Sequence, residues 1–180
     1  MALNIIVFIF YFLLFNLLIT RIRFFKEADI NKYWLVALFS IKIFAGVAYG
    51  LFYMQPEYLG SKSDTWAFYD VSLKETDWLL KDPAAFVKNI FTSGYDHSSG
   101  LFSGTNSYWN DLKETIVVKL LAVCNVFTLK SYFADIIFFN FLFFFGPVAL
   151  YKIIMRLFKA INMWTMLIVF FIPSFLFWCS

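Results

Sequence analysis

The chain has 180 residues, of which 62% are hydrophobic and 23% aromatic, with 26 phenylalanines and a net charge of +3. Its mean hydropathy of +0.73 and its long unbroken apolar runs exclude an ordinary water-soluble domain and mark an integral membrane protein. So small a net charge gives no basis for nucleic-acid binding, and two cysteines in apolar sequence, Cys124 and Cys179, suggest neither a disulfide framework nor a thiolate metal site.

The first run, residues 2–19, is long enough to cross a hydrocarbon core roughly 30 Å thick. It lacks the basic start and small-residue cleavage site of a signal peptide and reads as a retained anchor. A basic connection, RIRFFKEADINK, follows with Arg21, Arg23, Lys26 and Lys32. Residues 33–53 are the second expected span. The third, 132–151, is followed by Lys152, Arg156 and Lys159, and the fourth, 161–179, is still apolar where the sequence ends, so the chain reads as incomplete there. The expected fold is therefore all-α: a polytopic membrane protein of about four transmembrane helices. Arg21, Arg23 and Arg156 lie in the two short connections, which the positive-inside rule assigns to the cytoplasm. Residues 54–131 then form a large outer loop within a single membrane domain.

Three helices are expected in that loop. Asp82-Pro83 is a strong start signal, an Asp N-cap with Pro at the first helical position, and Phe86, Val87, Ile90 and Phe91 give an apolar face to a helix over 83–93. Asp64 is placed to cap an earlier helix running to about Leu80. Residues 115–129 carry Ile116, Val117, Leu120, Cys124 and Phe127 at helical spacing. As a span they would leave Lys119 in lipid, so an amphipathic or re-entrant helix at the outer face is expected. Residues 92–107, rich in Gly and Ser, read as a loop. The Phe-rich tract FFNFLFFF (138–145) is expected to face lipid.

Chemistry-bearing residues concentrate in three places. SKSDTWAFYD (61–70) offers Asp64 as a general base, Trp66 and Tyr69 as rings that stack on a sugar, Lys62 for a phosphate, and Asp70 as a second carboxylate. The structural alternative makes Asp64 a helix cap, Asp70 a solvated residue and the rings part of an interfacial aromatic belt. SYWNDLKE (107–114) sets Trp109, Asp111 and Lys113 beside it as a second wall of a cleft, or as helix caps and a membrane anchor. Asp96-His97, without further His or Cys nearby, is a weak metal site and reads better as exposed loop. Within the spans, Lys42 and Asp135 are ionisable groups of the kind that is functional or paired in lipid.

An acidic motif after an early span, followed by amphipathic helices and further spans, resembles the N-terminal part of GT-C-type membrane glycosyltransferases and the related polysaccharide-polymerase-like proteins of bacterial envelopes. SDTWAFYD (63–70), SYWNDLKETIVVKLLAV (107–123), SYFADIIFFNFLFFFG (131–146) and PSFLFWCS (173–180) carry the likeness. The resemblance implies Asp64 at the position of the catalytic acid, a polyprenyl-phosphate-linked sugar donor, chemistry on the periplasmic side of a bacterial inner membrane, and lipid as a partner. No cofactor is required by the pattern, although a divalent metal is compatible with it. The alternative expectation is a non-enzymatic subunit or scaffold of an envelope protein complex, which binds protein partners in the membrane.

Overall fold

The computed structural model describes residues 2–54, 64–91, 107–158 and 163–172, and for Asp64 and Asn110 the backbone alone. Most of those residues are helical, with no strand among them. In chain order the helices are α1 (Ala2–Arg21), α2 (Arg23–Lys26), α3 (Lys32–Phe52), α4 (Asp64–Lys81), α5 (Pro83–Lys88), α6 (Tyr108–Thr128), α7 (Tyr132–Phe158) and α8 (Met163–Phe170). Three of them, α1, α3 and α7, are long and apolar enough to cross a membrane. The fourth expected span is represented by α8 alone, because 159–162 and 173–180 fall outside the described residues. The chain divides into two compact units, residues 1–55 with 133–180, and residues 56–132.

The first unit is built on aromatic packing. Phe25, Phe39 and Phe144 are fully buried, together with Ile19, Ile43, Ile137 and Val148. Their rings form a mesh: Phe39 meets Phe144 edge-on at 5.2 Å, Phe25 lies 4.7 Å from Phe145, and Phe15 lies 4.6 Å from Phe141. Edge-to-face and tilted contacts suit the ring quadrupole, and in lipid such close packing replaces the hydrophobic driving force of a soluble core. The tract 138–145 is thus not the lipid-facing surface expected of it. Ile137, Phe141, Phe144 and Val148 recur every three or four residues along α7, so one face of the tract turns inward while Leu142 and Phe143 stay exposed. Leu3, Ile6, Phe10, Leu13 and Leu17 give α1 a continuous exposed apolar face for lipid.

Polar groups hold the ends. Asn31 caps α3 by accepting a hydrogen bond from the Tyr33 amide at 2.9 Å. Lys152 of α7 donates to the Phe24 carbonyl at 3.3 Å, lies 3.6 Å from a Glu27 carboxylate oxygen, and sits 4.5 Å over the Phe24 ring. Arg23 bonds Glu27 at 2.6 Å and holds its carboxyl below the ordinary value of 4.5. The basic end of α7 and the connection between α1 and α3 therefore share one end of this unit. Lys42 and Asp135, the two ionisable groups noted in the expected spans, are both turned inside, at 4% and 2% exposure.

Candidate functional site

The second unit is a helical hairpin of α4 against α6, with α5 packed on α4. Its local starts follow the sequence. Pro83 opens α5, and the Asp82 side chain caps it by accepting from the Ala85 amide at 3.0 Å. The helix is shorter than the expected 83–93: its last helical residue is Lys88, and hydrogen bonds from the Asn89 amide to Ala85 and Phe86 close its end. At α6 the Ser107 carbonyl takes the first helical bond, from the Asp111 amide at 3.1 Å. Asp111 thus lies within the first turn, where its charge complements the helix dipole, and is not the cap.

Tyr69, Ser72 and Thr76 line one face of α4 at helical spacing, and Val118, Lys119, Ala122 and Asn125 line the facing side of α6. All seven are buried, and most of their polar atoms bond across the seam or to their own helix. Ser72 Oγ donates to the Tyr69 carbonyl at 2.7 Å and accepts from Asn125 Nδ2 at 2.9 Å. Thr76 Oγ1 donates to the Ser72 carbonyl at 2.7 Å and to the Ala122 carbonyl at 3.3 Å. Lys119 Nζ donates to Glu75 Oε2 at 2.9 Å, with the ammonium 4.6 Å from the Trp78 ring centre and 4.2 Å from that of Phe86. An ammonium with a carboxylate and two ring faces around it keeps favourable electrostatics in place of water.

The hairpin ends in a strained turn. Leu129 and Lys130 both take left-handed backbone, at φ 54° and 60°, a conformation costing roughly 1–2 kcal/mol for residues other than glycine. Three bonds hold Lys130 there: its amide donates to the Asn125 carbonyl at 2.9 Å, its carbonyl accepts from the Tyr69 hydroxyl at 2.6 Å, and its ammonium bonds Asp77 at 2.7 Å. The lysine donor also keeps the Asp77 carboxyl below its ordinary 3.8.

Of the residues expected to form a site, Trp66 and Tyr69 are brought together. The Trp66 ring stacks on Tyr132 at 4.1 Å, and Tyr69 meets Trp66 edge-on at 5.9 Å and Tyr132 at 5.2 Å. Asp64 begins α4, and Asp70 is half-buried on the same helix. Trp109 is half-exposed and Lys113 exposed on the first turns of α6. The Asp111 Oδ2 atom is buried without a hydrogen-bond partner among the described residues. Lys62, Asp96, His97 and the Asp64 side chain lie outside the description. Among the described residues no group of three or more His, Cys, Asp or Glu side chains is placed to hold a metal ion. Sequence reading missed the Glu75–Lys119 pair and the Ser72/Thr76/Asn125 seam. The available signal was a set of polar residues at helical spacing on one side of an otherwise apolar α6.

In the first unit, Asn4, Ile5, Phe8, Val47, Leu51 and Phe133 line an open groove of about 340 Å³ whose walls are apolar apart from Asn4. It suits a hydrocarbon chain and carries no chemistry of its own. No family model, curated protein or solved structure matches the chain.

Proposed function

We propose that the chain is a non-catalytic membrane subunit whose spans carry a preformed helical hairpin as a scaffold on the outer side of a bacterial plasma membrane. The observation that carries this reading is that the hairpin's rings and most of its polar groups are already engaged with one another. Of the side chains suited to stacking on a sugar, Trp66 lays one face on Tyr132, Tyr69 meets both of those rings edge-on, and the Tyr69 hydroxyl is held by the Lys130 carbonyl. The outward side of α4 mixes Val71 and Leu80 with Lys74, Asp77 and Lys81, the composition of a surface that meets a protein partner reversibly. Clustering of Arg21, Arg23 and Lys26 at the end shared with Lys152 supports an inward-facing basic end.

A second reading keeps the glycosyltransferase resemblance, and one observation favours it: an Asp111 carboxylate oxygen that is buried and has no hydrogen-bond partner among the described residues. A carboxylate oxygen without a donor is an unused acceptor, the kind of group that a hydroxyl of an acceptor or a sugar would satisfy. Two experiments separate the readings. Photo-crosslinkers placed at Lys74 and Lys81 in cells are expected to give one discrete protein adduct. Purified protein in vesicles with a polyprenyl-phosphate-linked sugar is expected to release no sugar. Sugar release abolished by both Asp64→Asn and Asp111→Asn would establish the enzyme and remove the scaffold.

A further inference from the structure

Helix α6 is amphipathic in the sense opposite to a water-soluble hairpin. Its polar side chains Lys119, Asn125 and Thr128 are buried, and each bonds within the hairpin. Its exposed line is apolar: Trp109 is 50% exposed, Ile116 42%, Leu120 39%, Val123 39% and Phe127 58%. At 100° per residue these five positions fall within about 60° of arc, and they extend about 27 Å along the helix. Val117, 40% exposed, widens the stripe, and Lys113 near its start is the one charge on the line.

We infer that this stripe is a membrane-docking face, with α6 lying against the bilayer and its apolar line in the acyl region. The chain itself favours lipid over other occupants. Leu129, Lys130 and Ser131 alone join α6 to α7, a candidate span. Three residues reach at most ~10 Å, so the bilayer surface is always at hand. Leu129, 56% exposed, continues the apolar line toward α7. Trp109 stands at the far end with Lys113 one turn on, an indole for the headgroup level and a long side chain able to lift its ammonium into water. The charges Lys74, Asp77 and Lys81 are on α4, leaving the stripe uncharged beyond Lys113. The inference goes beyond the scaffold reading and holds equally for an enzyme.

The test uses the full chain with Cys124→Ala and Cys179→Ala, reconstituted in vesicles of phosphatidylethanolamine and phosphatidylglycerol. Single variants Ile116→Cys, Leu120→Cys and Val123→Cys carry an environment-sensitive fluorophore, and Lys74→Cys and Lys81→Cys serve as comparison positions. Lipids bearing a shallow spin label are expected to quench the three α6 positions severalfold more than the two α4 positions, with aqueous iodide showing the reverse order. Iodide access at the α6 positions would overturn the inference. So would shielding from both quenchers, which indicates a protein cover, or concentration-dependent self-quenching, which indicates a second copy. Because the substituted α6 side chains are exposed, helix content by circular dichroism should match the parent and rule out unfolding as the cause.

Discussion

Removing either partner of the Glu75–Lys119 pair should have unequal consequences. Lys119 is 5% exposed at its side chain and Glu75 24%. Glu75→Ala leaves a buried ammonium between the Trp78 and Phe86 rings with its anion gone. Breaking a buried pair in this way costs roughly 3–5 kcal/mol, and the two cation–π contacts that remain, worth up to ~2 kcal/mol, bring the expectation to about 2 kcal/mol. Lys119→Met is milder, about 1 kcal/mol or less, because the thioether fills the space between the rings and Glu75 can turn to water. The double variant should resemble Lys119→Met, since no charge is stranded. Amide hydrogen exchange along α4 and α6 in the micelle-bound full chain reads this directly. Opening should rise about 30-fold for Glu75→Ala, at 1.4 kcal/mol per tenfold, and fivefold or less for Lys119→Met. Equal effects, or a larger one for Lys119→Met, would show that the rings and not the carboxylate hold the lysine.

Tyr69→Phe removes the donor to the Lys130 carbonyl, and the hairpin should lose about 1 kcal/mol, seen as faster exchange at the end of α6 with helix content unchanged. Phe144→Ala empties the centre of the ring mesh. The loss should be about 2 kcal/mol, below the ~3–5 kcal/mol of water-soluble cores because lipid removes the transfer part, and thermal unfolding in detergent measures it. The Asp77–Lys130 contact should matter above pH 4 and fade in acid. Asp77 titrates below 3.8 when folded, so its contribution is complete above that value and declines as pH falls through the folded one; Asp77→Asn should flatten the pH dependence of hairpin opening between pH 5 and pH 2.

Hydrophobic runs made α1, α3 and α7 legible, because a bilayer demands length and apolarity whatever the neighbours are. The Asp82-Pro83 start was equally legible, since a cap is settled within one turn. Partnerships between distant residues were not. Lys119 counted in the sequence only as a charge that lipid would refuse, while its partner Glu75 lies 44 positions away. The tract 138–145 is apolar apart from Asn140, and composition cannot say which of its phenylalanines meets α2 or α3 and which meets lipid. For the candidate site, spacing drew attention to Trp66 and Tyr69 but could not reveal that Tyr132 would stack on the first and meet the second edge-on.

The inward position of Lys119 changes what its charge implies. A lysine with its own carboxylate no longer bars the neighbouring apolar line of α6 from lipid, so residue type alone cannot decide whether α6 crosses the membrane. Contacts in the first unit bear on that question. Lys152, late in α7, reaches Glu27 in the connection between α1 and α3. Asn4 and Ile5 at the start of α1, Leu51 at the end of α3 and Phe133 at the start of α7 line one groove at the other end. Helix α3 therefore runs away from the basic end and α7 returns to it. A chain that leaves and re-enters the same end of the bundle makes an even number of crossings between, and α6 as a lone span would make that number odd. This supports α6 lying on the bilayer and not through it. In that position its buried polar seam serves a purpose: it keeps Lys119 and Asn125 out of lipid while six apolar side chains face it.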